Sequence, residues 1–389
     1  MRRLVVMAAA LLLGGCGISR WLSGGTSNAV PPAPLVAFHP LITVQKLWSV
    51  RTGKGAGSQY LSLVPALEGD RLYVSDHKGN VAAFEAATGH RLWRVRLKMG
   101  VTGAVGAGPG MVFIGGRKGL LVALSAQSGA VLWKAHLSST VLAPATSSAE
   151  GIVVAQTVDG RLAGLSAQDG SLLWSDHRRP PSLSLYASAT PVIRQNRAFA
   201  AFADGRVYAV HLHTGAPIWQ VRLGHAQGVD EIERLADVDT TPIVRDGLVY
   251  AAAYQGDVAA IDRHSGKTVW SAPTSTFRNL ALGKTQLYLS TSTDAVQARQ
   301  SATGALMWTQ GALSGRRISA PEPIAQEVAV GDYAGYVHWM ARTSGQFVAR
   351  TRVGKSPVRV QPVAAQEGQR PVLFVLEQNG RLTALSPSS

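Results

Sequence analysis

From residue 79 onward one pattern of apolar, small and turn-forming positions repeats along the chain. A glycine is followed two residues later by Val or Leu, as at Val81, Leu121, Leu162, Val207, Val258 and Leu382. Four residues after it comes a small residue, as at Ala83, Ala123, Gly164, Ala209, Ala260 and Ala384. A second glycine stands ten residues after the first, and a Trp four further on, as in Gly79, Gly89 and Trp93. The triplet recurs with the glycines and tryptophans Gly119, Gly129, Trp133; Gly160, Gly170, Trp174; Gly205, Gly215, Trp219; and Gly256, Gly266, Trp270. Period-two alternation puts the aliphatic and small positions on one face of a strand. The Thr-Gly, Ser-Gly or Asp-Gly pair supplies the positive φ of a tight turn. Each copy therefore predicts a β-hairpin whose small positions let neighbouring sheets approach closely. Three departures stand out: Asp294 replaces the first glycine of copy six, Ala349 replaces the Trp of copy seven, and Trp339 occupies a small position.

Successive second glycines lie 40, 41, 45, 51, 38 and 41 residues apart. That period suits four short strands per repeat, as in a propeller blade. The eighth copy starts at Gly380 and runs out of chain, and Leu47-Trp48 looks like its missing Trp strand. The prediction is an all-β protein: an eight-bladed β-propeller of four-stranded blades over residues 41–389, closed by pairing the N-terminal strand with the last blade, which leaves no free sheet edge at the seam. An open β-solenoid is the alternative, but solenoids favour shorter repeats. The Gly-x-x-x-Trp signature resembles the tryptophan-docking repeat of the quinoprotein-like propellers. That fold serves more than one kind of function, so it does not decide this one.

The N-terminus bears on the compartment. Arg2 and Arg3 precede an apolar run, Leu4 to Leu13, too short to span a bilayer as a helix and shaped like an export signal. Leu13-Gly14-Gly15-Cys16 follows, with the only cysteine of the chain at its end. This resembles a bacterial lipobox, which implies cleavage after residue 15, lipidation of Cys16, and, with Gly17 next, sorting to the outer membrane. Residues 16–40, rich in Gly, Ser, Pro and Ala, read as a flexible tether. Loss of Arg2 and Arg3 lowers the net charge from +15 to +13. An exported protein does not meet the chromosome, so the basic charge does not imply nucleic acid. Attraction to anionic lipid headgroups or a plain solvated surface remain the two readings of it.

Little catalytic chemistry is visible. With one cysteine there is neither a disulfide framework nor a Cys-based zinc site. Zincin and serine-hydrolase motifs are absent. Asp237-Val238-Asp239 lacks the glycine and distal Glu of a calcium loop, and no other acid and amide set suits a quinone cofactor's calcium. The residues favour a non-enzyme with no catalytic residues, no cofactor and no metal. A periplasmic quinoprotein dehydrogenase and an envelope-binding lipoprotein are the rivals.

Binding is better signalled. The connections after Trp174 and Trp219 are the longest between copies, and long adjacent loops suggest a binding surface. The second carries five acids between His225 and Asp239 (Asp230, Glu231, Glu233, Asp237 and Asp239) against Arg234 alone. In a basic protein this suggests an acidic patch for a basic partner. The first offers Leu183 and Leu185 on one face if extended, apolar anchors of the kind found in interfaces. Segments PSLSL, EIERLADVDTTP and GDYAGYVHW resemble those of the lipoprotein propellers of the outer-membrane β-barrel assembly machinery, and the resemblance covers nearly the whole chain. It implies a non-catalytic scaffold that docks on a periplasmic POTRA domain of BamA and assists folding and insertion of outer-membrane proteins. Carried over by motif, the docking residues are Leu183, Leu185, Asp237 and Asp239. Tyr186 stands where the family commonly has Arg, which alters one charge contact. Nascent barrel strands could also add to an exposed blade edge.

Overall fold

In a computed structural model of the chain the predicted hairpins are the outer halves of blades. The structure describes residues 30–185, 189–225 and 235–388. Among these, eight antiparallel four-stranded sheets follow one another around a ring. Blades 1 to 7 span residues 66–96, 101–136, 146–177, 192–222, 243–274, 281–310 and 322–352. Blade 8 takes three strands from residues 363–388 and its fourth from the strand Thr43–Arg51. That strand pairs antiparallel with Arg381–Ser388, and the register brings Trp48 opposite Ala384. The ring closes by this pairing, as the Leu47-Trp48 pattern predicts.

Within a blade the chain runs from the first strand outward. First strands of neighbouring blades pack against one another around the axis. The Trp strands are outermost. Each Trp reaches sideways to the next blade: the indole Nε1–H of Trp48, Trp93, Trp133, Trp174, Trp219, Trp270 and Trp308 donates to a backbone carbonyl there at 2.7–3.0 Å. The ring lies on the second glycine of that blade. A Cβ at Gly89 would stand 2.7 Å from Trp48, and one at Gly304 2.4 Å from Trp270. The second glycine is therefore doubly required, by the positive φ of its turn and by the indole of the preceding blade.

The small position has an equally local cause. In blade 1 the cross-strand neighbours run Tyr73, Ala83, Trp93, and in blade 5 Tyr250, Ala260, Trp270. Large side chains on the second and fourth strands meet over a small one on the third, with the rings tilted 6.0 and 6.3 Å apart. Blade 7 inverts this order to Ala329, Trp339, Ala349. The reason lies in the closure. The third and fourth strands of blade 8 are opposite ends of the chain, so no turn joins them and no docking glycine is present for a Trp at 349. The bulk sits one strand inward instead, and Trp339 is fully buried between blades 7 and 8. Its Nε1, unlike the seven docked indoles, has no hydrogen-bond partner.

The segment read as a flexible tether to residue 40 is fastened earlier than that reading expects. Arg316 Nη1 donates to the Ala33 carbonyl at 3.0 Å and Arg350 Nη2 to that of Val36 at 3.0 Å. Phe38 stacks on Phe347 at 5.7 Å, and Leu41 N–H donates to Val348 O at 2.8 Å. Linker-like composition does not reveal that two carbonyls and one aromatic ring are bound by blade 7 and the connection before it. Cys16 lies outside the described residues.

Candidate functional site: the crossover face

Connections from the outer strand of one blade to the inner strand of the next all emerge on one face of the ring. The two long ones, between blades 3 and 4 and between blades 4 and 5, are neighbours there. Between them Leu185 N–H donates to Asp237 Oδ2 at 2.6 Å, across 52 residues of sequence. The structure thus brings Leu185 and Asp237 together. Leu183 is 40% exposed, while Leu185 is half-buried. Neither belongs to a strand, so they are not part of a blade core. Tyr186, Asp230, Glu231 and Glu233 fall outside the described residues.

Asp237 and Asp239 depart from the expectation of an exposed acidic patch. Asp237 is fully buried and Asp239 nearly so. Burial pushes the Asp237 carboxyl up to about 6, partly offset by the Leu185 N–H and reinforced by Asp204. Burial, with Asp237 beside it, pushes Asp239 up to about 8. One oxygen of each, Oδ1, has no hydrogen-bond partner. The cause is their position on a segment pinned between blades. Val238 N–H bonds Phe202 O in blade 4 at 3.2 Å, and the Asp237 carbonyl accepts from Tyr254 N–H at 2.8 Å. Thr240 Oγ1 exchanges bonds with Ala252 of blade 5 at 2.8 and 2.9 Å. Thr241 N–H donates to Asn279 Oδ1 at 2.9 Å, and Thr241 Oγ1 accepts from Thr190 N–H at 3.1 Å.

Thr240, Thr241 and Asn279 are the positioning residues that sequence reasoning missed. A signal for the first exists. Ser319, in the connection to blade 7, accepts from Gly331 N–H, twelve residues on, at 2.9 Å, the spacing at which Thr240 accepts from Ala252. A hydroxyl twelve residues ahead of a second-strand residue thus recurs as a staple.

Leu185 and Asp239 share a cavity of about 510 Å³ with residues from the connections between blades 5, 6, 7, 8 and 1. Contributions from around the ring make it the mouth of the central funnel. Among the described residues no group of three His, Cys, Asp or Glu is placed to hold a metal.

A ring of Trp-docked blades, a closing N-terminal strand and long crossovers on one face define a propeller of the quinoprotein-like class. Solved structures agree on that fold: a quinohemoprotein alcohol dehydrogenase from Comamonas testosteroni matches with a TM-score of 0.70 at 13% identity, over 88% of this chain and 76% of that one. Far more similar is "The crystal structure of BamB from Moraxella catarrhalis", with a TM-score of 0.80 and 28% identity over 88% of this chain and all of that one. A sequence model described as "Outer membrane protein assembly factor BamB" matches residues 43–104 and 77–310. Proteins of that name are 35% identical in Escherichia coli K12, over 92% of this chain and 93% of that one, and 34% in Pseudomonas aeruginosa, over 97% of each. The chain belongs to the BamB family.

Proposed function

We propose that this protein is a non-catalytic assembly factor for outer-membrane proteins, working without cofactor or metal. It is anchored to the periplasmic face of the outer membrane by lipid on Cys16 and docks on a periplasmic POTRA domain of BamA to assist β-barrel folding and insertion. The relatives' name supports the general role. The observation that carries the docking site is the Leu185 to Asp237 bond. It joins two long loops that sequence reasoning assigns separately to the partner and leaves Leu183 displayed beside them. Leu183, Leu185 and Tyr186 are the contact residues of this reading. Asp237 holds the Leu loop, and Asp239 lies in the funnel wall behind it.

Burial of both carboxylates changes the expected test. Leu183→Asp places a charge where an apolar anchor is needed and touches no core. Co-purification of the lipidated chain with BamA in mild detergent should succeed for the wild type and fail for this variant. Asp237→Ala should weaken recovery by loosening residues 183–185. Undiminished recovery with Leu183→Asp would discard the site, and absence of BamA from the wild-type preparation would discard the function.

A further inference from the structure

The central funnel has a chemistry that docking through Leu183 does not use. Arg278, Arg317 and Arg359 come from three successive crossovers and line one side of it. Arg278 is neutralised by Asp294, 2.8 Å away. The other two are differently placed. Arg317 is exposed, on a backbone held at φ +50 by Asp294, whose oxygens accept the Arg317 and Ile318 N–H groups at 2.8 and 3.2 Å. A non-glycine residue kept in that region is strained, and such strain gathers at binding sites. Arg359 lies over the ring of Tyr60, 5.2 Å from its centroid, and its Nε is buried without a hydrogen-bond partner. Tyr60 itself is 88% exposed, an aromatic surface at the rim.

The acids of the lining do not cancel this charge. Asp239, driven up to about 8 by burial, is protonated at neutral pH. Glu377, the other acid of the lining, faces Arg381 at 3.7 Å and accepts from Ser356 N–H at 3.1 Å. The lining also includes the apolar side chains of Leu61, Ile318 and Leu376. A cavity of this size holds a drug-sized ligand or a few residues of chain. Two guanidinium groups with no acid paired to them among the described residues, beside apolar side chains and an open aromatic rim, fit an anion attached to something greasy.

We propose that the funnel binds a short extended peptide segment of another protein, one that presents a carboxylate beside a large apolar side chain. The carboxylate meets Arg317 and Arg359, and the apolar group covers Ile318 and Leu376. Continuity with Leu185 favours a polypeptide over a free small molecule, since the funnel opens beside a loop already suited to protein contact.

The probe is a fluorescent capped peptide, Gly-Leu-Glu-Phe-Glu-Gly, compared with its double Glu→Gln counterpart by anisotropy on the full lipidated chain in mild detergent. The Glu peptide should bind more tightly than the Gln peptide by on the order of tenfold or more, and added salt should weaken it. Arg317→Glu should abolish that preference. Its side chain is exposed, so an unchanged melting midpoint will show that the variant folds, and Arg317→Gln should give an intermediate loss. Equal binding of both peptides, no binding, or an undisturbed preference in Arg317→Glu overturns the proposal, as does displacement of the peptide by laurate at equal concentration, which would mark a small-amphiphile site. Recovery of BamA should be intact in Arg317→Glu and lost in Leu183→Asp. The funnel and the docking loop can therefore fail separately.

Discussion

Blade 7 and the crossover between blades 4 and 5 both bury carboxylates, and they treat them in opposite ways. Asp332 in blade 7 is fully buried, yet its Oδ2 accepts from Arg316 Nε and Nη2 at 2.9 and 2.6 Å and contacts His338 Nε2 at 3.0 Å. Its Oδ1 takes the N–H groups of Ala334 and Tyr336. Burial alone would raise its pKa, but His338, the Tyr336 N–H and Arg316 together hold it below the ordinary value. Asp239 has no such company, and its pKa rises. A buried carboxylate surrounded by donors serves the fold, because every lone pair is matched. One with a bare oxygen costs stability without an internal return. Such a cost is expected at a site kept for something outside the molecule.

The largest effect should come from the blade 7 core. Trp339→Ala removes a fully buried indole and should cost about 3–5 kcal/mol. Adding Ala349→Trp should recover only part of that, because no docking glycine receives the new indole. Full recovery in chemical denaturation would show that the inverted order is not set by the ring closure.

Next comes Asp332→Ala, which strands Arg316 and His338 and should cost about 3 kcal/mol or more. His338 is held neutral by burial, and Arg350 Nε donates to its Nδ1 at 3.3 Å. In that tautomer Nε2–H donates to Asp332. Asp332 has a depressed folded pKa, so its contribution is present at neutral pH and is lost as pH falls through that pKa. The stability gap between wild type and Asp332→Ala should therefore narrow in acid. A constant gap down to pH 3 would contradict the network.

A substitution at the crossover should act in the opposite direction. Asp239 has its pKa raised from 3.8 to about 8 on folding, so the folded chain binds the extra proton between those values and stability declines as pH rises through them. Asp239→Asn removes the decline. It should leave stability nearly unchanged at pH 4 and raise it by about 1–3 kcal/mol at pH 9. If thermal melting shows the variant to be less stable at pH 9, Asp239 has a partner after all and the contrast with Asp332 collapses.

The same contrast explains what the sequence reveals. Blade number, the outer hairpins and the ring closure are legible because each depends on a spacing repeated seven or eight times. Trp339 and Ala349 are visible as exceptions, but their compensation is not, since it rests on the register of three strands. Composition places Asp237 and Asp239 with Asp230, Glu231 and Glu233 as one acidic run, and it has no means of telling which acids turn inward. Leu185 and Asp237 are 52 residues apart, and nothing local couples them. The funnel arginines are a partial exception. Arg278, Arg317 and Arg359 stand 12, 13 and 14 residues after the second glycines Gly266, Gly304 and Gly345, so aligning the copies puts each in the same crossover though not in one column.

The smallest effect concerns the seam between the N-terminal segment and blade 7. Phe38 is half-buried, stacked on Phe347 and covered by the Arg350 guanidinium 5.0 Å from its centroid. Phe38→Ala leaves Arg316 and Arg350 bound to the carbonyls of Ala33 and Val36. It removes only a partly exposed ring, worth about 1 kcal/mol locally. The unfolding midpoint should hardly move, because the blade core beneath, Trp339 and Ala349, is untouched. Exchange of the Leu41 amide, which donates to Val348 O, should instead quicken several-fold, reporting a local opening of the segment. Unchanged Leu41 exchange would mean that the arginines alone fasten the segment. A large fall in the midpoint would mean that this stretch belongs to the propeller core, and the boundary between strap and ring would then move toward the N-terminus.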